Sequence, residues 1–199
     1  EECKAQMRQV IKDAKAQIKA ITDRTEDCIS VTNTLSFDRN DVIFTEDKGK
    51  TVADMLQQTY TAIDGKKIRL IGGVSVPALS SVKLGFGVGK TADSKAFTYE
   101  NETLTTPFAK VSFDKNGFIS SFIDTVADRD LVNEIPFGTF LMAEDVPMSW
   151  DNWDVDADIE MKFRPCGVLL EREIVSEGDV AFIIRSKYKI SEKSTLTQD

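Results

Sequence analysis

The sequence predicts a mainly β fold: a small β-sandwich, then part of a larger one, with a single α-helix at the N-terminus. Three observations carry this. Short runs rich in β-branched and aromatic residues recur from Cys28 onward, punctuated by Gly, Pro, Asp, Asn and Ser. Helical spacing of apolar residues is sustained only before residue 25. No strands alternate with helical stretches, as a parallel α/β sheet would require.

Residues 1–24 read as one helix about 36 Å long. Apolar residues at Met7, Ile11, Ala14, Ile18 and Ile21 alternate steps of four and three, which draws one narrow stripe along it. Such a stripe packs on another helix. Only Val52 to Ile63 offers a second helical pattern, and it is short and rich in Thr. The stripe therefore lies either on the sheet that follows or on helices preceding Glu1, and the second reading is favoured.

Cys28 to Leu35, Val42 to Thr45, Ile68 to Ile71, Gly73 to Val76 and Val82 to Val88 are the strands expected next, with a turn at Asp38 to Asp41. The polar run Thr91 to Lys95 marks a boundary. Beyond it, Phe108 to Phe113 and Phe118 to Ile123 flank Asp114-Lys115-Asn116-Gly117, a β-hairpin in which Gly117 supplies a positive φ. Phe137 to Met142, Ile159 to Arg164, Gly167 to Val175 and Val180 to Ile190 continue the strands. Val180 to Ile184 is nearly all apolar and reads as a central strand. Ser191 to Asp199 is polar and shows no closing element. The expected division is a helix at 1–24, a small sandwich at 28–92 and the first, truncated part of a larger sandwich at 97–199.

Composition narrows the function classes. The 199 residues are 41% apolar and 29% charged, enough to bury a core. A net charge of −8 repels phosphate backbones and anionic lipid, so neither nucleic acid nor membrane is expected as a partner. No stretch nears the roughly 18 apolar residues of a membrane span. Three widely spaced cysteines, Cys3, Cys28 and Cys166, argue for a reducing compartment, hence a cytoplasmic location. The sequon Asn101-Glu102-Thr103 matters only in a secreted protein.

The chain contains no histidine, which excludes Ser-His-Asp and Cys-His catalysis within it and removes the commonest zinc ligand. Gly85 to Thr91 lacks the spacing of a phosphate loop, because Leu84 stands where its first Gly belongs. Asp154 to Asp158 starts like a calcium loop, but Ile159 and Pro165 occupy its Gly and Glu positions. The densest chemistry lies in Glu144 to Asp156, where both tryptophans stand among five carboxylates. Trp faces stack on sugar rings and carboxylates accept bonds from sugar hydroxyls. Core anchors within a solvated loop are the alternative reading.

That segment resembles a signature of the glycoside hydrolase family 38 α-mannosidases, E-D-x-P-x-x-W-D-A-W-D-I-D. Glu144, Asp145, Pro147, Trp150, Asp151, Trp153, Asp154 and Asp156 match in order, and Asn152 and Val155 depart from it. Asn33-Thr34-Leu35-Ser36-Phe37-Asp38-Arg39 resembles the family's N-x-L-S-W-x-R, with Phe37 for Trp. Val76-Pro77 resembles its V-P-x-x-G turn, with Ser80 for Gly. Glu100-Asn101-Glu102, Val111 to Asp114 and Gly117 to Ser121 resemble L-E-N-E…V-x-F-D-x-x-G-x-I-x-S. The resemblance spans about residues 28–199.

The resemblance implies a division of labour. A zinc-bearing α/β catalytic domain and a three-helix bundle come first in the parent, and residues 1–24 end that bundle. This chain then holds no catalytic residue and no metal ligand. Its expected role is to buttress the catalytic domain of an enzyme that hydrolyses terminal α-mannosides with retention. Trp150, Asp151, Trp153 and Asp154 are the residues expected at the sugar cleft. A homo-oligomer is compatible with all of this. The alternatives are a free-standing carbohydrate-binding or adhesive sandwich module, and a purely structural interaction domain.

Overall fold

In the computed structural model the chain is mainly β, built from antiparallel sheets behind one N-terminal helix. The structure describes residues 2–21, 27–92, 95–146, 148 and 156–199, with backbone only for 18–21. Helix α1 spans Glu2–Ile21. The strands of the first half are β1 (Cys28–Thr32), β2 (Arg39–Glu46), β3 (Gln57–Thr61), β4 (Lys67–Val76) and β5 (Ser81–Gly85). The second half holds β6 (Thr98–Glu100), β7 (Thr103–Thr105), β8 (Ala109–Phe113), β9 (Ile119–Asp124), β10 (Arg129–Asp130), β11 (Phe140–Met142), β12 (Arg164–Cys166), β13 (Val168–Glu177), β14 (Phe182–Lys189) and β15 (Thr195–Gln198). A one-turn helix, α2 (Ile159–Lys162), precedes β12. No described helix is long and apolar enough to cross a membrane.

In the first half, the pair β1-β5 faces the sheet β2-β4-β3. Alternation along β2 and β5 sends every second side chain inward. Val52, Ile71, Val74 and Val76 form the buried centre, closed by Ile29, Val31, Ile43, Val82 and Leu84. Each fully buried aliphatic side chain here stabilises the fold by about 1.5–3 kcal/mol relative to exposure. Asn33 explains the first resembling motif structurally. It is 7% exposed. Its Nδ2 donates to Phe37 O, Val76 O and Pro77 O at 2.8, 3.2 and 3.1 Å, and its Oδ1 accepts Leu35 N–H at 3.0 Å. One buried amide thus ties the loop after β1 to the end of β4.

In the second half, the five-stranded sheet β10-β9-β8-β7-β6 packs on β13-β14-β15 through aromatic rings. Phe118 and Tyr188 stack at 5.7 Å, and Phe140 meets Tyr188 edge-on at 5.0 Å. Tyr188 is fully buried, and its hydroxyl donates to Gly117 O at 3.1 Å. The predicted hairpin is present between β8 and β9. Asp114 Oδ1 accepts Asn116 N–H and Phe118 N–H, and Gly117 has φ +82°. A side chain at Gly117 is excluded twice over, because its Cβ would sit 2.7 Å from Tyr188 Oη.

A second keystone joins the same sheets at the hairpin β6–β7. Asn101 and Glu102 both have positive φ, the two-residue turn that matches strand twist. Glu102 is strained there, and its carboxylate is held by Tyr99 Oη at 2.7 Å and Arg172 Nη1 at 3.0 Å. Arg172 in turn lies 3.9 Å over the Phe113 ring.

Several expectations are corrected. Ile159 to Arg164 is not a strand. Residues 159–162 form α2, because Asp158 and Lys162 pair at 2.9 Å with helical spacing and Arg164 Nη1 binds Met161 O at 2.8 Å. Val52 to Ile63 is not helical, since Gln57–Thr61 pair with Ile71–Lys67 and the Thr and Tyr side chains suit a sheet surface. Asp38 to Asp41 is a turn only at its start. Arg39 and Asp41 already belong to β2, opposite Val76 and Val74. Ile68 to Ile71 and Gly73 to Val76 form one strand, whose register shifts opposite Asp41 and Ile43, at Gly72-Gly73. The polar end is structured too, because β15 pairs with β14 and makes β14 central.

Candidate functional site

The acidic Trp segment lies in the sequence between β11 and β12, which form a short antiparallel pair. Phe140 pairs with Cys166, Leu141 with Pro165 and Met142 with Arg164, so residues 143 and 163 leave from adjacent strand ends. The foot of this hairpin is fixed by Phe140, packed edge-on against Phe118 and Tyr188.

The predicted site residues Trp150, Asp151, Trp153 and Asp154 lie outside the described residues, as do Pro147 and part of the calcium-like run. What is described is the two flanks of the loop. Glu144, Asp145 and Val146 are exposed. Met148 N–H donates to Asp156 Oδ2 at 3.0 Å, closing the loop across eight residues. Lys162 stands at the far flank. Its hydrogen bond to Asp158 holds its ammonium above the usual lysine range, and Asp156 and Asp145 add to this. It is the first cation after seven carboxylates between Glu144 and Glu160. This brace was not anticipated from the sequence. Its signal was the i,i+4 spacing of Asp158 and Lys162.

The described residues offer no metal centre. No group of three or more Cys, Asp or Glu side chains could hold an ion among them, and the chain lacks histidine. The zinc that the resemblance implies does not fit these residues. A cleft of about 270 Å³ opens beside β1 and β2, and Phe86 lines it. Lys50 covers that ring at 5.1 Å and pairs with Asp27, so the face is occupied by a cation and not open to a sugar ring. The glycine run after β5 continues as an irregular edge, with Gly87 N–H on Thr51 O and Lys90 N–H on Met55 O. It shows no helix for a phosphate to cap.

Residues 104–199 match the model of the glycosyl hydrolases family 38 C-terminal domain. This stretch is similar to that domain. The matched stretch runs from β7 to the last residue and includes the acidic hairpin loop. A family 38 C-terminal domain is a non-catalytic part of α-mannosidases. No curated protein matches this chain in sequence.

Proposed function

We propose that the chain is the non-catalytic β region of a retaining α-mannosidase, divided as helix 1–24, sandwich 28–92 and partial sandwich 97–199. It buttresses a catalytic domain elsewhere in the same polypeptide and reaches the sugar cleft with the loop between β11 and β12. The observation that carries this is the hairpin itself. A family 38 segment mounts its two tryptophans and most acidic stretch on strands anchored in an aromatic core. Zinc and the nucleophile belong to the catalytic domain of the parent. The three free cysteines support a reducing, cytoplasmic location.

The test has two arms. The purified 199-residue chain should not hydrolyse an aryl α-mannoside, with or without zinc. In the full-length enzyme, Trp150→Ala and Trp153→Ala should separate. One lowers mainly the melting temperature. The other leaves stability nearly intact and lowers kcat/KM about ten-fold or more, about 1.4 kcal/mol of transition-state binding. Two substitutions acting on stability alone would remove the loop from the cleft. Mannose binding by the isolated chain would favour a free-standing carbohydrate-binding module.

A further inference from the structure

A cleft of about 240 Å³ opens between the two sheets of the second half. Phe113 and Ile119 line it from one sheet, Phe182 and Ile184 from the other, and Phe118 and Phe137 complete the apolar wall. Two charged groups reach this wall. Asp199 is already matched, because Arg185 donates to both of its oxygens at 2.7 and 2.8 Å. Arg172 is not. Its side chain is 14% exposed and makes one hydrogen bond among the described residues, from Nη1 to Glu102 Oε2 at 3.0 Å. Its Nε is buried with no acceptor, the one buried side-chain nitrogen or oxygen in that state among the described residues. Native structures rarely leave such a donor unmet, because it loses its water and gains nothing in return. Arg69, in the cleft beside β1, has Nε, Nη1 and Nη2 all bonded, to Asp47 and Gln57. The Arg172 guanidinium is also held still. Its carbon lies 3.9 Å over the Phe113 ring. Glu102, which fixes Nη1, sits at φ +56°, a conformation a non-glycine residue keeps only where its surroundings over-determine it. A planar guanidinium held at Nη1 leaves the edge of Nε and Nη2, the fork that grips a carboxylate with two parallel bonds.

We propose that this cleft binds a small aromatic monocarboxylate, with its ring among the phenyl rings and its carboxylate on the Nε–Nη2 edge of Arg172. The walls set the body of the ligand, because phenyl rings favour another ring offset or edge-on. The unmet donor sets its head group, since a charge-assisted pair with a buried guanidinium is the strong form of this bond. The volume sets its size. It falls below the roughly 300–1,000 Å³ of sites for drug-sized ligands, which leaves room for about one ring. A sugar carries hydroxyls on every side, and phenyl walls would leave most of them unmatched. A neutral apolar molecule would leave Nε without its acceptor. The site is independent of the proposed function, and neither needs the other.

The experiment titrates the full-length polypeptide with 4-fluorobenzoate and follows the fluorine resonance by NMR. 4-Fluorobenzyl alcohol, which lacks the charge, and acetate, which lacks the ring, are the comparison probes. 4-Fluorobenzoate should bind saturably, about ten-fold or more tighter than either. Arg172→Lys should weaken it by about ten-fold or more, because an ammonium cannot supply the fork. Phe137 offers a second variant that keeps the fold. Its side chain is exposed at the cleft, and its backbone is held by two hydrogen bonds to Ile119. Phe137→Ala should weaken binding by about three- to ten-fold through the lost ring contact. Circular dichroism and the melting temperature report whether each variant is folded, and if Arg172→Lys is not, Phe137→Ala decides alone. Absence of saturable binding overturns the proposal, as it would if water or another segment of the polypeptide fills the cleft. Equal binding of the alcohol overturns it by making the cleft merely apolar, and equal binding of acetate by making Arg172 a simple anion contact. Binding that survives both substitutions lies elsewhere and overturns it too.

Discussion

Gln58 joins the two halves of the chain with one side chain. Its Oε1 accepts Val180 N–H at 2.8 Å and Ala181 N–H at 2.9 Å. Its Nε2 donates to Ala181 O at 2.8 Å and Ser176 Oγ at 3.0 Å. Each such bond contributes about 0.5–1.5 kcal/mol net, and stranding two backbone donors adds a desolvation cost that water partly offsets. Gln58→Ala should therefore cost about 2–3 kcal/mol, or roughly 4–12 °C in melting temperature for a chain of this length. Gly178 provides an independent perturbation. A Cβ there would stand 2.3 Å from Gln58 Oε1, and its φ lies outside the left-handed region, so alanine is allowed by the backbone and blocked only by the amide. Gly178→Ala should displace Gln58 and cost nearly as much. In the Gln58→Ala background it should cost nothing, or stabilise by about 0.4–1 kcal/mol through the unfolded state. Urea or thermal denaturation of the four proteins gives the coupling energy. Additive losses would show that Gly178 acts elsewhere and that the amide is not the clamp.

Three further outcomes follow from other networks. The Arg69 guanidinium, bonded to Asp47 at 2.8 and 3.1 Å, holds that carboxyl below its ordinary value of 3.8, so its contribution is present above that value and lost as pH falls below it. Asp47→Asn should lower stability at neutral pH and flatten the loss between about pH 4 and pH 2 in acid titrations of stability. Burial, then the bond to Glu102, pushes the Tyr99 phenol up to about 12 from 10.0, so its contribution is complete below pH 10 and lost as pH rises toward 12. Tyr99→Phe should delete the corresponding phase from the ultraviolet titration, and an unchanged high-pH phase would refute the assignment. Asn33→Ala should cost about 2–4 kcal/mol by denaturant unfolding, because it frees a loop and strands carbonyls at a site 7% exposed.

The sequence made the β architecture legible wherever local chemistry decided it. Asp114 to Gly117 needed only a side-chain acceptor and a positive φ, and both are present. Val180 to Ile184 reads as central because an apolar run must be covered, and β14 is the middle strand of its sheet only over Ser186–Lys189, while Phe182 to Ile184 pair with β13 alone. The failures lie where a distant partner decides. Gln57–Thr61 has a mixed pattern that pairing with β4 resolves, and Ser191 to Asp199 has no apolar signal because β15 is an edge strand. Ile159 to Arg164 failed because a one-turn helix is too short for periodicity to register. At the candidate site, the motif residues Trp150, Asp151, Trp153 and Asp154 lie outside the described residues, and the strands that flank them were not legible from the motif. Nothing in the pairing of β11 with β12 is encoded within Glu144 to Asp156.

Net charge misleads for the same reason. A total of −8 argues against anionic partners when charge is spread evenly, but here it is polarised. The acids concentrate between β11 and β12, while α1 and β14 are cationic. The two extremes have different structural settings. The loop leaves strands locked by Phe140 and Tyr188, and Tyr188 lies on β14, whose entry at Ala181 is gripped by Gln58 from β3. A continuous path of packed rings, one strand and one amide thus runs from the loop's foot to the first sandwich, and each step is short. Under the proposed function, rigid support of this kind would hold the loop in place at the cleft. The described part of α1, by contrast, is exposed on every side. A helix so exposed gains its stability from what it docks on. Firm support at the foot of the loop and an exposed helix at the other end are what the proposed function would ask of a domain set between a catalytic cleft and further helices.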